Sequence, residues 1–203
     1  DILVVHHDAR PVLDKIDKYM KLKEGSVGDP DIYLGAKLKK VQLDNDVWCW
    51  SLSPSKYVQE AVRNCEKKLK EKYPNDYSLL KNAPNPFPLG YEPEMDVSPV
   101  LEPTEASYYQ TLIGVMRWMV ELGRVDIAVE VSQLSSFLAM PRQGHLVAAL
   151  HIMSYLKVKH NSRLVLDPSY PAIDYKSFND NADWTQSYGK VEEAMPTNAP
   201  KPL

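Results

Sequence analysis

The chain has 203 residues, of which 44% are hydrophobic, and a formal net charge of −3. That length suits roughly one or two domains with a packed core, and the slight acidity excludes nucleic-acid binding by whole-chain charge, so any basic surface must be local. No run reaches the ~18 apolar residues of a membrane span, and the N-terminus lacks the basic leader of a secretory signal, so the expectation is an intracellular chain with no membrane partner. An initiator Met is also missing, which suggests that the chain begins inside a longer reading frame. Cys49 and Cys65 form no Cys-x-x-Cys pair, which argues against zinc and for free thiols in a reducing compartment. No glycine-rich phosphate loop, His-Glu-x-x-His or Gly-x-Ser-x-Gly is present.

The chain opens with Asp1-Ile-Leu-Val-Val, which reads as a strand turning at His6-His7-Asp8. The two histidines point to opposite faces of a strand, so they cannot readily share one metal. Residues 8–22 predict an amphipathic helix with Pro11 in its first turn and a stripe of Val12, Leu13, Ile16, Tyr19 and Met20. A turn at 25–28 follows, then two strands at 31–38 and 46–52 forming a hairpin around Asp44-Asn45-Asp46.

Ser53-Pro54 reads as an N-cap and first helical residue. The helix behind it has Tyr57, Val58, Ala61, Val62, Cys65 and Leu69 on one face. Lys56, Arg63, Lys67, Lys68, Lys70 and Lys72 face three acids, Glu60, Glu66 and Glu71, which leaves a local positive surplus. A solvated helix face explains such a run, and so does contact with phosphates. Seven prolines between Pro74 and Pro103 then predict an extended linker over 74–106.

Residues 107–166 carry three helical patterns. The first has Tyr109, Leu112, Ile113, Met116, Met119 and Val120 on one face, with Ser107 and Gln110 as a capping box and Gly123 past its end. The second starts near Asp126, a good N-cap, carries Ile127, Val131, Leu134 and Leu138, and stops before Pro141. The third has His145, Ala148, Ala149, Ile152, Tyr155 and Leu156 on one face and Lys157, Lys159 and His160 at its C-terminal end. The spacing of His145, His151 and His160 does not stack them, so they read as structural. Residues 163–166 predict a strand, Asp174, Asp180 and Asp183 read as turn residues, and a Pro-rich tail runs over 195–203.

The wording of 107–166 resembles the region after the polymerase palm in copia-type retrotransposon reverse transcriptases. That family has Tyr-Arg-x-x-Ile-Gly-x-(Leu/Met)-x-(Tyr/Trp)-(Leu/Met), then Arg-Pro-Asp-Ile, Leu-Ser-x-(Phe/His), Pro-x-x-x-His-x-x-Ala-(Ala/Leu) and Tyr-Leu-Lys. The matches are Tyr109, Ile113, Gly114, Met116, Trp118, Met119, Arg124, Asp126, Ile127, Leu134, Ser135, Pro141, His145, Ala148, Tyr155, Leu156 and Lys157. Gln110 stands where the family has arginine, and Val125 where it has proline. Tyr33-Leu34-Gly35 resembles the family's Phe-Leu-Gly, and Leu52, Ser53, Lys56, Tyr57 and Val58 resemble the start of its thumb helix. Asp183-Trp184 resembles the Asp-Trp near the start of its RNase H domain.

The resemblance implies an α+β chain: truncated palm strands with a hairpin (1–52), a thumb-like basic helix (53–73), a Pro-rich linker (74–106), a three-helix connection (107–166) and a truncated RNase H-side segment (167–203). It implies a piece of an RNA-directed DNA polymerase that is inactive alone. Asp1 looks like the second aspartate of the Tyr-x-Asp-Asp motif, hence a catalytic remnant and one ligand of an incomplete Mg2+ site. The parent chemistry is in-line displacement with paired magnesium ions, and no cofactor is expected for this piece by itself. Tyr33, Leu34 and Gly35 would lie near the primer terminus. Lys56, Arg63, Lys67, Lys68 and Lys70 would face the RNA/DNA template-primer duplex, with the rest of the Pol polyprotein as the protein partner. A helical binding module without catalysis, or a decayed transposon relic, are the alternatives.

Overall fold

The computed structural model describes residues 2–4, 6, 8–73, 75, 78–79 and 82–167. Asp1, His7, Asp174, Asp180, Asp183, Trp184 and the tail at 195–203 lie outside the described residues. The chain divides into two units, 1–168 and 169–203, and every described residue belongs to the first. The fold class is α+β: four antiparallel strands and five α-helices among the described residues.

Helix periodicity places the main core. Helix α3 (Pro103–Glu121) buries Tyr108, Tyr109, Leu112, Ile113, Met116 and Met119. It starts four residues before Ser107, because proline fits a first turn whose N–H groups lack helical partners anyway. Ser107 is therefore inside the helix, and its hydroxyl donates to the Pro103 carbonyl at 2.9 Å. At the other end Gly123 takes φ 101°. Its N–H bonds the Val120 carbonyl and the Arg124 N–H bonds the Met119 carbonyl, both at 2.9 Å, which is the paired closure of a Schellman motif.

A 3-10 turn at Val125–Ile127 leads into helix α4 (Ala128–Ser135), which buries Val131 and Leu134. The expected second helix is shorter than its pattern: it ends at Ser135, well ahead of Pro141, and Leu138 is only half-buried. Helix α5 (Gln143–Val158) buries nine residues, from His145 to Leu156. Helix α2 (Ser55–Lys72) adds Val58, Val62, Cys65 and Leu69 to the same core. Ser53 does not cap it; the hydroxyl donates to the Ser162 carbonyl at 3.3 Å instead.

The sheet runs in the order β1 (Ile32–Tyr33), β2 (Ala36–Gln42), β3 (Trp48–Ser53), β4 (Leu164–Leu166), all antiparallel. The expected strand at 31–38 is broken in two, because Leu34 and Gly35 take φ 50° and 90° and form a two-residue hairpin turn. Positive φ at both central positions suits a turn whose twist matches that of the strands. Strand β4, arriving from beyond α5, pairs Leu164 with Leu52 and Leu166 with Trp50. The hairpin is thereby joined to the helical part. Residues 2–4 form no strand; no strand of the described sheet pairs with them.

Helix α1 (Arg10–Tyr19) buries no residue. The expected stripe is only partly covered: Val12, Leu13 and Ile16 are half-buried, while Tyr19 is 90% exposed. Among the described residues no helix is long and apolar enough to cross a membrane.

The Pro-rich segment is fastened to the start of α5. Val100 bridges Arg142, the Leu101 N–H bonds the Pro141 carbonyl, and the Gln143 N–H bonds the Pro99 carbonyl. The Arg142 guanidinium donates to the Ser98 carbonyl at 2.6 Å. Buried His145 accepts the Arg142 N–H at Nδ1, which leaves Nε2 to donate to the Pro93 carbonyl at 3.0 Å. Both ring nitrogens are thus spent on backbone, in keeping with a structural histidine. Asp96 lies so close to Gly144 that a β-carbon there would collide with its carboxylate.

Candidate nucleic-acid interface

The basic residues of α2 sort by helical angle. Val58, Val62, Cys65 and Leu69, at spacings of four, three and four, face the core. Lys56, Arg63, Lys67 and Lys70, at spacings of seven, four and three, share the opposite, exposed side. These spacings return to the same angle at 3.6 residues per turn. The stripe runs from Lys56 to Lys70, 14 residue steps, about 21 Å of axis at 1.5 Å per residue. Lys67 has Glu71 at 3.9 Å, a loose and exposed pair that leaves its charge available.

Lys68 does not join the stripe. Its ammonium sits over the Tyr108 ring, 4.3 Å from the centroid. Tyr108 in turn meets Cys65 at 3.3 Å, and burial pushes both the Cys65 thiol and the Tyr108 hydroxyl upward in pKa.

The end of α5 borders the stripe. Lys157 pairs with Glu66 of α2 at 2.6 Å. His160 Nδ1 accepts from the Gln59 amide at 2.9 Å and lies 3.1 Å from the Ser55 hydroxyl. Gln59, Arg63, Glu66, Lys157 and His160 rim a notch of about 210 Å³. Sequence reasoning assigned Lys157 and His160 to the α5 dipole and missed their meeting with α2. That meeting joins residues about 90 to 105 positions apart, and no local pattern signals it.

Of the hairpin residues, Leu34 and Gly35 form the turn and Tyr33 the end of β1, away from the α2 stripe in sequence and in secondary structure. Asp1 lies outside the described residues. Among the described residues no three His, Cys, Asp or Glu side chains gather as a metal-ligand group.

The motif residues Arg124 and Asp126 meet at the base of the helical part. Arg124 is fully buried and donates through Nε and Nη2 to the two Asp126 oxygens at 2.8 and 2.7 Å. Tyr155 donates to the same carboxylate at 2.9 Å. Burial raises the Asp126 pKa, but the Arg124 bonds and charge and the Tyr155 hydroxyl outweigh it, so the net shift is downward. Asp126 is therefore the partner of a buried arginine and not the expected N-cap. The bidentate geometry fixes how the chain leaves α3.

No family model matches the chain, and no solved structure matches it. A Saccharomyces cerevisiae (strain S288c) protein named for transposon Ty5-1 is 33% identical over 106 residues, covering 44% of this chain. Over that stretch the chain is similar to a transposon protein. It spans 34% of the length of that yeast protein.

Proposed function

We propose that the chain is part of a copia-type reverse transcriptase and that its own task is to hold the RNA/DNA template-primer duplex by its phosphates along α2. The observation that carries this is the stripe Lys56, Arg63, Lys67 and Lys70, exposed along one side of a helix whose other side is locked into the core. A length of about 21 Å matches about six phosphates of one strand at 3.4 Å each. Lysine and arginine facing phosphates position a duplex and carry no sequence information. The ordered motif matches over 107–166 and the likeness to the Ty5-1 protein support the same reading. Chemistry is assigned to the parent polymerase, so the isolated chain extends no primer.

The test is binding of an RNA/DNA hybrid across a salt series. Changing Lys56, Arg63, Lys67 and Lys70 together to Ala should flatten the slope of log K against log salt by roughly 0.7 to 0.9 per lost phosphate contact. An unchanged slope in a folded variant removes the α2 interface and leaves a binding module of another kind. Magnesium-dependent primer extension that vanishes on Asp1→Ala would overturn the absence of chemistry.

A further inference from the structure

One face of the sheet has two halves. At its inner end Ala36, Leu38, Leu52 and Leu164 lie on one side by strand alternation. Ala36 and Leu38 are buried, and Leu164 and Leu52 approach Gly123 so closely that a β-carbon there would meet them at 3.3 and 3.7 Å. The face continues outward through the cross-strand row Lys40–Trp50–Leu166 and then Gln42–Trp48. Here the helical support stops: Trp48 is 62% exposed and Leu166 53%. Lys40 holds its ammonium 5.1 Å from the Trp50 ring centroid. Lys40, Trp48 and Trp50, with Cys49, line an open depression of about 420 Å³.

We propose that this outer half binds a single-stranded nucleic acid, with Trp48 and Trp50 stacking on bases and Lys40 meeting the adjoining phosphate. Two indoles on one face of a strand stand about 7 Å apart, two residues of rise, which equals two base-stacking steps of ~3.4 Å. Flat aromatic faces beside a cation are the chemistry that unpaired bases require, because every base offers a π-face and every link a negative charge. A duplex, with its bases already stacked on each other, has no use for such a surface. Asp46 at the turn accepts from the Gln42 amide at 3.1 Å and keeps its charge. The lysine on this face supplies the charge complementarity that an apolar protein partner would not need. The surface shares no residue with the α2 stripe, so the two assignments stand or fall separately.

The test is titration of the full chain with oligo(dT) and with an oligonucleotide of the same length made of abasic units, at two salt concentrations. Trp48→Ala should weaken oligo(dT) binding about five- to tenfold at both salts, the lower range for loss of one stacked base, and leave abasic binding unchanged. Trp48→Phe should recover most of the loss. Because Trp48 is mostly exposed, its removal leaves no core cavity, and an unchanged melting curve will confirm that. Equal affinity of Trp48→Ala and the native chain for oligo(dT) would overturn the proposal. So would an equal loss on the abasic strand, or self-association of the native chain that the variant loses, which would assign the face to a second copy. Loss of the salt slope in the α2 variant with oligo(dT) stacking intact would separate failure here from failure there.

Discussion

Helices α1 and α5 both follow from apolar periodicity, yet they end in opposite environments. Helix α5 covers nine of its sixteen residues, on more than one side, because α2, α3 and α4 all pack against it. Helix α1 has the cleaner amphipathic pattern and fully buries none of its ten. A periodic stripe therefore specifies a helix and the side it wants to bury; it does not supply the partner. Burial is what stabilises a helix in water, since short helices are marginal by themselves. Between these two lies the sheet, tied to the core by β4 and by the close contact at Gly123. Hydrogen exchange should show three tiers, with α3 and α5 slowest, β2 and β3 intermediate and α1 fastest.

The sharpest way to break this comparison is to make one deletion in both helices. Ile152 on α5 is fully buried, and Ile152→Ala should cost about 3 to 4 kcal/mol in denaturant unfolding. Ile16 on α1 is half-buried, and Ile16→Ala should cost about 1 kcal/mol or less. Equal losses would mean that α1 is as firmly packed as α5.

Next in size is the joint between sheet and helices. Gly123→Ala forces an L-residue to φ 101° and brings its β-carbon to 3.3 Å from the Leu164 Cβ. The backbone part is worth about 1 to 2 kcal/mol. Gly90→Ala is the control, since Gly90 has φ 71° and open space around it. The excess at Gly123, read by thermal melting together with exchange at β4, measures how firmly the sheet is held. No excess would mean that β4 gives way freely.

What was readable beforehand divides along the same line. Local signals held: the faces of α2 and α3, the left-handed glycine at 123 and the strand at 163–166 are all written in consecutive residues. Leu34-Gly35 was also written, as a residue-glycine pair that permits two positive φ values, but alternation on either side masks it as one strand. Pairing of β3 with β4 joins residues more than 110 apart, and nothing in either strand names the other. The exposed stripe on α2 follows from spacing alone, whereas the seat of Lys68 on Tyr108 needs the packing of α3 against α2. Likewise Trp48 and Trp50 alternate like any half-buried pair, and only the point where the helices stop shows that Trp48 is left uncovered.

Acid should separate the regions more gently. Asp126 and Asp96 both have pKa values below the ordinary carboxylate value. For each, burial pushes upward and is outweighed: by Arg124 and Tyr155 for Asp126, and by Ser98 and Tyr91 for Asp96. A depressed folded pKa gives stability that is fully present above the unfolded value of about 4 and is lost as pH falls through the folded one. Melting temperature should therefore fall below about pH 4, and Asp126→Asn should flatten that limb while lowering stability at neutral pH. Asp17 on α1 is also lowered, by the Leu22 N–H and by Lys21, but it is half-exposed on a helix that buries no residue. Asp17→Asn should leave the acid limb where it was. A shift as large as that of Asp126→Asn would place α1 inside the cooperative unit.

The smallest effect compares two neighbours on α2, and it separates fold from interface within one turn. Lys68 covers the Tyr108 ring on the way to the core, and Lys67 stands on the exposed stripe with only a loose contact to Glu71. A cation over an aromatic face at a partly exposed site is worth about 0.5 to 1 kcal/mol, while an exposed ion pair near 4 Å is worth close to nothing measurable. Lys68→Ala should therefore lower stability by about that amount and leave the salt slope of hybrid binding unchanged. Lys67→Ala should leave stability unchanged and reduce the slope by roughly one phosphate contact. The two readouts are independent, because unfolding in denaturant does not sense the bound duplex and the slope does not sense Tyr108. Were Lys68→Ala to flatten the slope and Lys67→Ala to leave it alone, the duplex would have to approach α2 from the Tyr108 side, and the stripe of Lys56, Arg63, Lys67 and Lys70 would be an ordinary solvated face.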